Sequence, residues 1–236
     1  MSRERPARDA LLVLLSATAG WLDALSYVRL GHVFTSFMSG NVVFIGLGMQ
    51  ERQSVAGPAT AIAAFVAGCA AGAFIVGAAR PPAIWAPRVL HALAVEWVAL
   101  LTFVLVWWII GPGSLGHDLM LMSLGGFAMG VQSAAVLAMS IPGVITTVIT
   151  STIALLGEQA VLLLHRRRHG QRLSAEGAWL LAGITLAYTA SAVLLLTVAD
   201  RVIAPVIPVT CLTFVIAASV WEERHHRATP PPDPAA

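Results

Sequence analysis

Lysine is missing from this sequence altogether: all 14 of its basic residues are arginine. That removes a Schiff-base amine, a phosphate-loop lysine and a Ser–Lys dyad. Charge is scarce as a whole, with 11% Asp, Glu, Lys and Arg against about 25% in a soluble domain. Cysteine is rarer still. Cys69 and Cys211 stand alone in apolar runs, so there is no CxxC pair, disulfide frame or thiolate metal site, and both read as small buried hydrophobes. HExxH, GxSxG and a GxGD-type aspartyl pair are also absent. Ser114 and His117 share a loop in which nothing positions a general base or an oxyanion hole. An enzyme is therefore not expected, nor are a cofactor or a metal. His225-His226 beside Glu222-Glu223 lack the fixed geometry that a metal needs.

What the chain does have is apolar surface. Of its 236 residues 58% are hydrophobic, and the mean hydropathy is +0.81. One water-soluble core could not hide so many apolar side chains. A soluble enzyme, a nucleic-acid binder and a secreted scaffold are excluded, and an all-α integral membrane protein is expected. Its partners would be the lipid bilayer and a small solute, with no nucleic acid.

Eight apolar stretches follow one another: Ala10–Leu30, Val33–Met49, Gly57–Ala79, Val89–Ile110, Leu119–Met139, Val144–Leu164, Gly177–Ala199 and Val202–Trp221. Most reach the roughly 20 residues that cross a ~30 Å hydrocarbon core as a helix. Strand alternation is absent, which removes a barrel. Arg3, Arg5 and Arg8 before Ala10–Ser16, with Ala17-Thr18-Ala19 behind, have the form of a cleavable leader. Apolar character continues through Trp21, Leu25 and Val28, so this stretch is read as the first span. Pro81-Pro82, Gly111-Pro112-Gly113 and Ile141-Pro142-Gly143 punctuate the loops. Trp97, Trp107, Trp108, Trp179 and Trp221 mark bilayer depth.

The second stretch is the shortest and the least uniform. Either all eight cross, or the second and sixth re-enter. With eight crossings, ten arginines share one side and Arg29, Arg80, Arg88 and Arg201 lie opposite. With six, the minority falls to Arg29, Arg52 and Arg201. Both threadings put the termini in the cytoplasm by the positive-inside rule, under which Arg166-Arg167-Arg168 is a topology signal.

Residues Thr35–Gly46 line up with Thr146–Gly157, 111 positions later. The implied organisation is a cytoplasmic arm (1–9), two four-segment repeats (10–110 and 111–221) and a disordered, Pro-rich cytoplasmic tail (222–236). The run Gly20-x-x-Asp23-Ala24-x-Ser26-Tyr27, continuing through Leu30-Gly31, Phe34, Ser36 and Met38-Ser39-Gly40-Asn41, resembles the YoaK family of bacterial multi-pass membrane proteins. Gly126-x-x-Met129-Gly130-x-Gln132 and Thr146-Thr147-x-x-Thr150 add to the likeness, which covers roughly residues 8 to 222. Ser39, Ser133 and Ser151 depart from the Thr, Asn and Gly usual there. The resemblance implies a bacterial inner-membrane location and this architecture, and brings no activity with it.

Polar groups inside the spans need a reason. An acidic side chain near a helix centre costs about 2.5–3.5 kcal/mol on insertion scales. Asp23 is therefore the foremost candidate for a solute path, weighed against a carboxyl that ties helices together. Ser16, Gly20, Asp23 and Tyr27 fall on one helical stripe. Ser36, Ser39, Gly40 and Asn41 could break a helix at membrane depth, with Thr146, Thr147 and Thr150 as their counterparts. Gln132 aligns with Asp23 in the repeat, and would either face it across a pseudo-symmetry axis or make an interhelical hydrogen bond. Glu96 and Glu158 are secondary candidates. Gly68-x-x-x-Gly72 makes a packing ridge for close helix approach, which a helix of this chain or of a second copy could meet. Together these features point to a small transporter or channel for a polar or ionic solute. The alternatives are a non-transporting subunit or sensor, or a lipid-binding protein.

Overall fold

A computed structural model describes residues 4–51, 54–77, 86–139, 152–155, 157, 176–197 and 202–228. Seven long helices stand among them: α1 (Glu4–Arg29), α2 (Met38–Glu51), α3 (Ala56–Val76), α4 (Pro87–Ile109), α5 (Leu115–Ala138), α6 (Glu176–Thr197) and α7 (Val206–Ala228). No strand occurs among the described residues. α1, α3, α4, α5 and α6 are long and apolar enough to cross a membrane, while the apolar part of α7, Val206–Trp221, is shorter. Phe74 (90% exposed) and Ile109 (80%) point outward from the bundle, as side chains facing lipid do. Most of the sixth apolar stretch, Val144–Leu164, lies outside the described residues. Both ends are more helical than expected, since α1 starts at Glu4 within the arm and α7 runs on to Ala228 within the tail.

The helix ends follow from local chemistry. α1 stops where Gly31 (φ 84°) and His32 (φ 64°) enter the left-handed region, and the His32 N–H reaches back to the Tyr27 carbonyl at 3.1 Å. This is a glycine-based C-cap. α4 opens on Pro87 at its first turn, where a missing N–H costs nothing. Ser114 caps α5, its hydroxyl accepting from the His117 N–H.

Contacts across the bundle fix the helix directions. Gln132 Nε2 on α5 donates to the Leu15 carbonyl at 3.2 Å, and Gly125 lies against Leu22, so α1 and α5 are antiparallel. α3 and α5 climb together, pairing Gly57 with Met122, Ala61 with Gly126, Phe65 with Gly130 and Gly72 with Ala134. α6 climbs with α1 in the same way: Val13 touches Gly183, Ser16 bonds the Ile184 carbonyl at 3.0 Å and Asp23 meets Tyr188. α4 and α7 run in opposite directions, with Trp97 bonded to Thr213 at 2.8 Å and Trp108 to the Val202 carbonyl at 3.1 Å.

A topological consequence follows. α3 is antiparallel to α1, so it starts at the end of the bundle where α1 stops, and Gly57 lies against Val33 there. The chain therefore enters and leaves α2 at one end. α2 is 14 residues, or ~21 Å. The link to α3 has a reach of about 3.5 Å per residue, too short to return across the bundle. The second apolar segment thus enters and leaves at one end of the bundle, which fits the re-entrant threading for this segment and not the one in which all eight cross. Ala138 and Glu176 likewise fall at one shared end, the opposite one.

The glycine ridge has its partner within the chain. A Cβ on Gly68 would collide with the Phe127 carbonyl oxygen, and one on Gly72 would come within 2.7 Å of the Ala134 Cβ. Both glycines are buried. The ridge packs helices closely, and α5 rather than a second copy covers Gly68 and Gly72, because backbone-to-backbone approach needs small residues on both sides.

Candidate functional site

After its glycine cap the chain turns back along α1. Thr35 and Ser36 come level with Asp23, six residues or ~9 Å inside the end of α1. There the Asp23 carboxylate gathers five hydrogen bonds. Oδ1 accepts from the Thr35 N–H (2.7 Å), the Thr35 hydroxyl (2.9 Å) and the Ser36 N–H (2.6 Å). Oδ2 accepts from the Ser36 hydroxyl (2.6 Å) and the Tyr188 hydroxyl (2.5 Å). Asp23, Thr35 and Ser36 are all buried. One acidic side chain thus joins α1, the leg into α2 and α6.

Packing explains why the three elements meet. A Cβ on Gly20 would strike the Tyr188 carbonyl oxygen, so glycine lets α6 press against α1 and brings the phenol to Asp23. Two residues beyond Ser36, α2 begins. Its amino-terminal amides carry the positive end of a helix dipole, and the carboxylate sits beside that end.

Asn41 does on the first turn of α2 what Asp23 does on α1. Its Oδ1 accepts from the Phe34 N–H (3.0 Å) and its Nδ2 donates to the Phe34 carbonyl (2.7 Å), which holds the leg to the helix. Gly40 makes room for the Phe37 ring, whose nearest atom a Cβ would meet at 2.6 Å. Phe34 stacks on Tyr27 (5.1 Å between centroids) and on Phe44 (5.8 Å). Tyr27 and Ser39 are exposed.

The structure therefore gathers Asp23, Tyr27, Ser36, Gly40 and Asn41 around one turn. Gln132 is buried on α5, and its bond to Leu15 sets it some 12 Å along α1 from Asp23. Of the two readings of Gln132 the interhelical hydrogen bond is the one found, and the amide facing the carboxyl is corrected on that ground. Glu96 is buried on α4 and belongs to a different part of the bundle. Thr146, Thr147, Thr150 and Glu158 lie outside the described residues. Among those residues no group of three His, Cys, Asp or Glu is placed to hold a metal. Tyr188 was missed in the sequence. Its signal is position: it is one of only two tyrosines, and it lies in mid-segment, where a buried phenol needs a hydrogen-bond partner.

Comparison with known proteins bears on the whole chain. The family model described as "Protein of unknown function (DUF1275)" matches residues 11–220. The chain belongs to this DUF1275 family. The "UPF0700 transmembrane protein YoaK" of Bacillus subtilis (strain 168) is 36% identical over 153 residues, which is 64% of this chain and 66% of that protein. The match therefore spans just under two thirds of that relative's length. No solved structure matches. This DUF1275 member is a multi-pass membrane protein: a family resemblance to a transmembrane relative and five span-length apolar helices agree on that.

Proposed function

We propose that this protein moves a small polar or ionic solute across the bacterial cytoplasmic membrane, without converting it chemically and with both termini in the cytoplasm. The observation that carries the reading is α2, a short helix entered through an irregular leg at the depth of Asp23 and left at the same end of the bundle. Backbone outside regular helix is tolerated at membrane depth only against protein or a water-filled cavity. Helix starts at that depth are where transporters hold polar solutes.

Helix directions support the same reading. Exchanging α1 with α5, α3 with α6 and α4 with α7 turns the parallel α3–α5 pair into the parallel α6–α1 pair. The antiparallel pairs α1–α5 and α4–α7 map onto themselves. A two-fold axis in the membrane plane has this effect, so the likeness of Thr35–Gly46 to Thr146–Gly157 fits two inverted repeats. Six crossings also concentrate arginine most strongly on the side of the amino terminus, leaving Arg29, Arg52 and Arg201 opposite.

One observation favours a non-transporting subunit or sensor instead: Asp23 and Asn41 spend their hydrogen bonds on their own chain, as a structural joint would. Reconstitution separates the two. Purified protein in liposomes is given osmotic steps of small neutral, cationic and anionic solutes, with volume followed by stopped-flow light scattering. At least one class should enter faster than into empty liposomes. Tyr188→Phe leaves Asp23 four donors and should cut that flux by about tenfold, the worth of one hydrogen bond at roughly 1.4 kcal/mol. Equal rates with and without protein, for every class, would leave the subunit reading standing.

A further inference from the structure

Glu96 lies at the tenth position of the 23-residue α4 and has no exposed surface. Neither of its carboxyl oxygens has a hydrogen-bond partner among the described residues. It contrasts with Asp23, whose two oxygens share five donors. Buried polar groups are almost always paired, and an unpaired one calls for an explanation. A bare carboxylate in hydrocarbon is not sustainable without a counter-charge or a proton.

Among the described residues the surroundings offer no counter-charge. α4 packs against α3, α5 and α7. The ionisable groups of those elements are Cys69 on α3, His117 and Asp118 in the first turn of α5, and Cys211 and the charged run from Glu222 to Arg227 on α7. On α4 itself there are Arg88 and His91. His117 and Asp118 follow the last turn of α4 in the chain, on the first turn of α5, and Glu96 lies 13 residues, or ~20 Å, before that last turn ends. The antiparallel register, with Trp97 at Thr213 and Trp108 near Val202, sets the charged run of α7 opposite the start of α4. No ion pair to Glu96 occurs among the described residues.

Position adds a second argument. Glu96 belongs to the buried stripe of α4, with Val89, Ala92, Leu93, Ala99, Leu100 and Phe103, and α4 packs against α5 and α7 as well as α3. In the reading above α5 and α7 belong to the other half of the protein, which puts α4, and the Glu96 carboxyl it carries, at the seam between the halves. Relative movement of the halves would uncover it.

We propose that Glu96 is the proton-binding carboxyl of this protein, taking up one proton as its carboxylate becomes a carboxylic acid and releasing it when the seam opens. The coupling role rests on the transport reading; the proton site itself does not. The probe is dicyclohexylcarbodiimide, a lipid-soluble reagent that attacks protonated carboxyls in apolar surroundings, applied to the full chain in liposomes and read by peptide mass spectrometry. Glu96 should be modified in the wild type and in Tyr188→Phe, with the yield falling several-fold as pH rises. Glu96→Gln, close to isosteric, should fold and lose the adduct. Infrared difference spectra on a pH step should show a carboxylic-acid band that Glu96→Gln lacks. An unmodified Glu96, an adduct formed only after denaturation, or a band unchanged in Glu96→Gln would overturn the proposal. Flux enters neither readout, so a protein that moves no solute yet labels at Glu96 defeats the transport reading alone.

Discussion

Gly130→Val is expected to leave little folded protein. A Cβ at Gly130 would overlap the Phe65 carbonyl oxygen and come within 2.8 Å of the Cys69 backbone nitrogen and 3.0 Å of the Gly68 Cα. All three are backbone atoms, which cannot swing aside as the end of a flexible side chain does. α3 and α5 would have to separate along the seam where Gly68, Gly126 and Gly130 bring their backbones together. Overpacking a close-packed site costs about 1–3 kcal/mol. Parting a whole helix pair in lipid, where association rests on packing and little else, should bring the total to about 3 kcal/mol or more. Gly116 is the control on the same helix, because a Cβ there meets nothing within 4 Å. Gly116→Ala should be neutral, or stabilising by up to about 1 kcal/mol through helix propensity. Thermal unfolding in detergent measures both; equal melting temperatures for the two variants would mean that α3 and α5 are not in backbone contact.

Asp23→Ala is the second large effect, expected at about 3–5 kcal/mol. Each buried donor that loses its acceptor costs about 1–3 kcal/mol. The Thr35 and Ser36 amides are backbone groups that cannot turn away to find another acceptor, whereas the three hydroxyls can. Asp23→Asn keeps one acceptor oxygen but aims an amide NH2 at donors, so it should fall between Asp23→Ala and wild type. Tyr188→Phe removes one bond and should cost about 1–2 kcal/mol. The combination of Asp23→Asn with Tyr188→Phe should be less harmful than the sum of the two, because both act on one contact. Strict additivity, or an Asp23→Ala protein as stable as wild type, would show that the carboxylate does not hold α1, α2 and α6 together.

Much of this was legible in the sequence. Apolar length placed the seven described helices, with ends off by up to six residues at α1 and seven at α7, because a bilayer demands a fixed number of turns and forbids unpaired backbone. Asp23, Ser36, Gly40 and Asn41 stood out because polar and small groups are costly or disruptive in an apolar run, and the structure gathers them at one turn. The stripe of Ser16, Gly20 and Asp23 does face one neighbour. What hydropathy does not encode is which neighbour that is. Tyr188 lies 165 residues from Asp23 in the chain, and no local pattern links them. Gln132 was aligned with Asp23 by repeat position, yet antiparallel packing slides it two turns along α1. The Gly68/Gly72 ridge announces a close helix contact but is silent on whether the partner is α5 or another copy. Six and eight crossings differ by only one arginine in their charge split, too little for charge to decide. Three-dimensional helix direction decides for the second segment.

The central claim is that α2 returns to the side it came from, which reverses the sidedness of everything after it. Ser114 and Arg224 test this, since both are exposed and they cap opposite ends of the bundle. Each is changed to cysteine in a Cys69→Ala, Cys211→Ala background and exposed to a membrane-impermeant maleimide in intact cells stripped of their outer membrane. The account predicts that Ser114→Cys labels at once, while Arg224→Cys labels only after permeabilisation. Both positions labelling only after permeabilisation would contradict it, since the second segment would then have crossed and the halves could not be inverted.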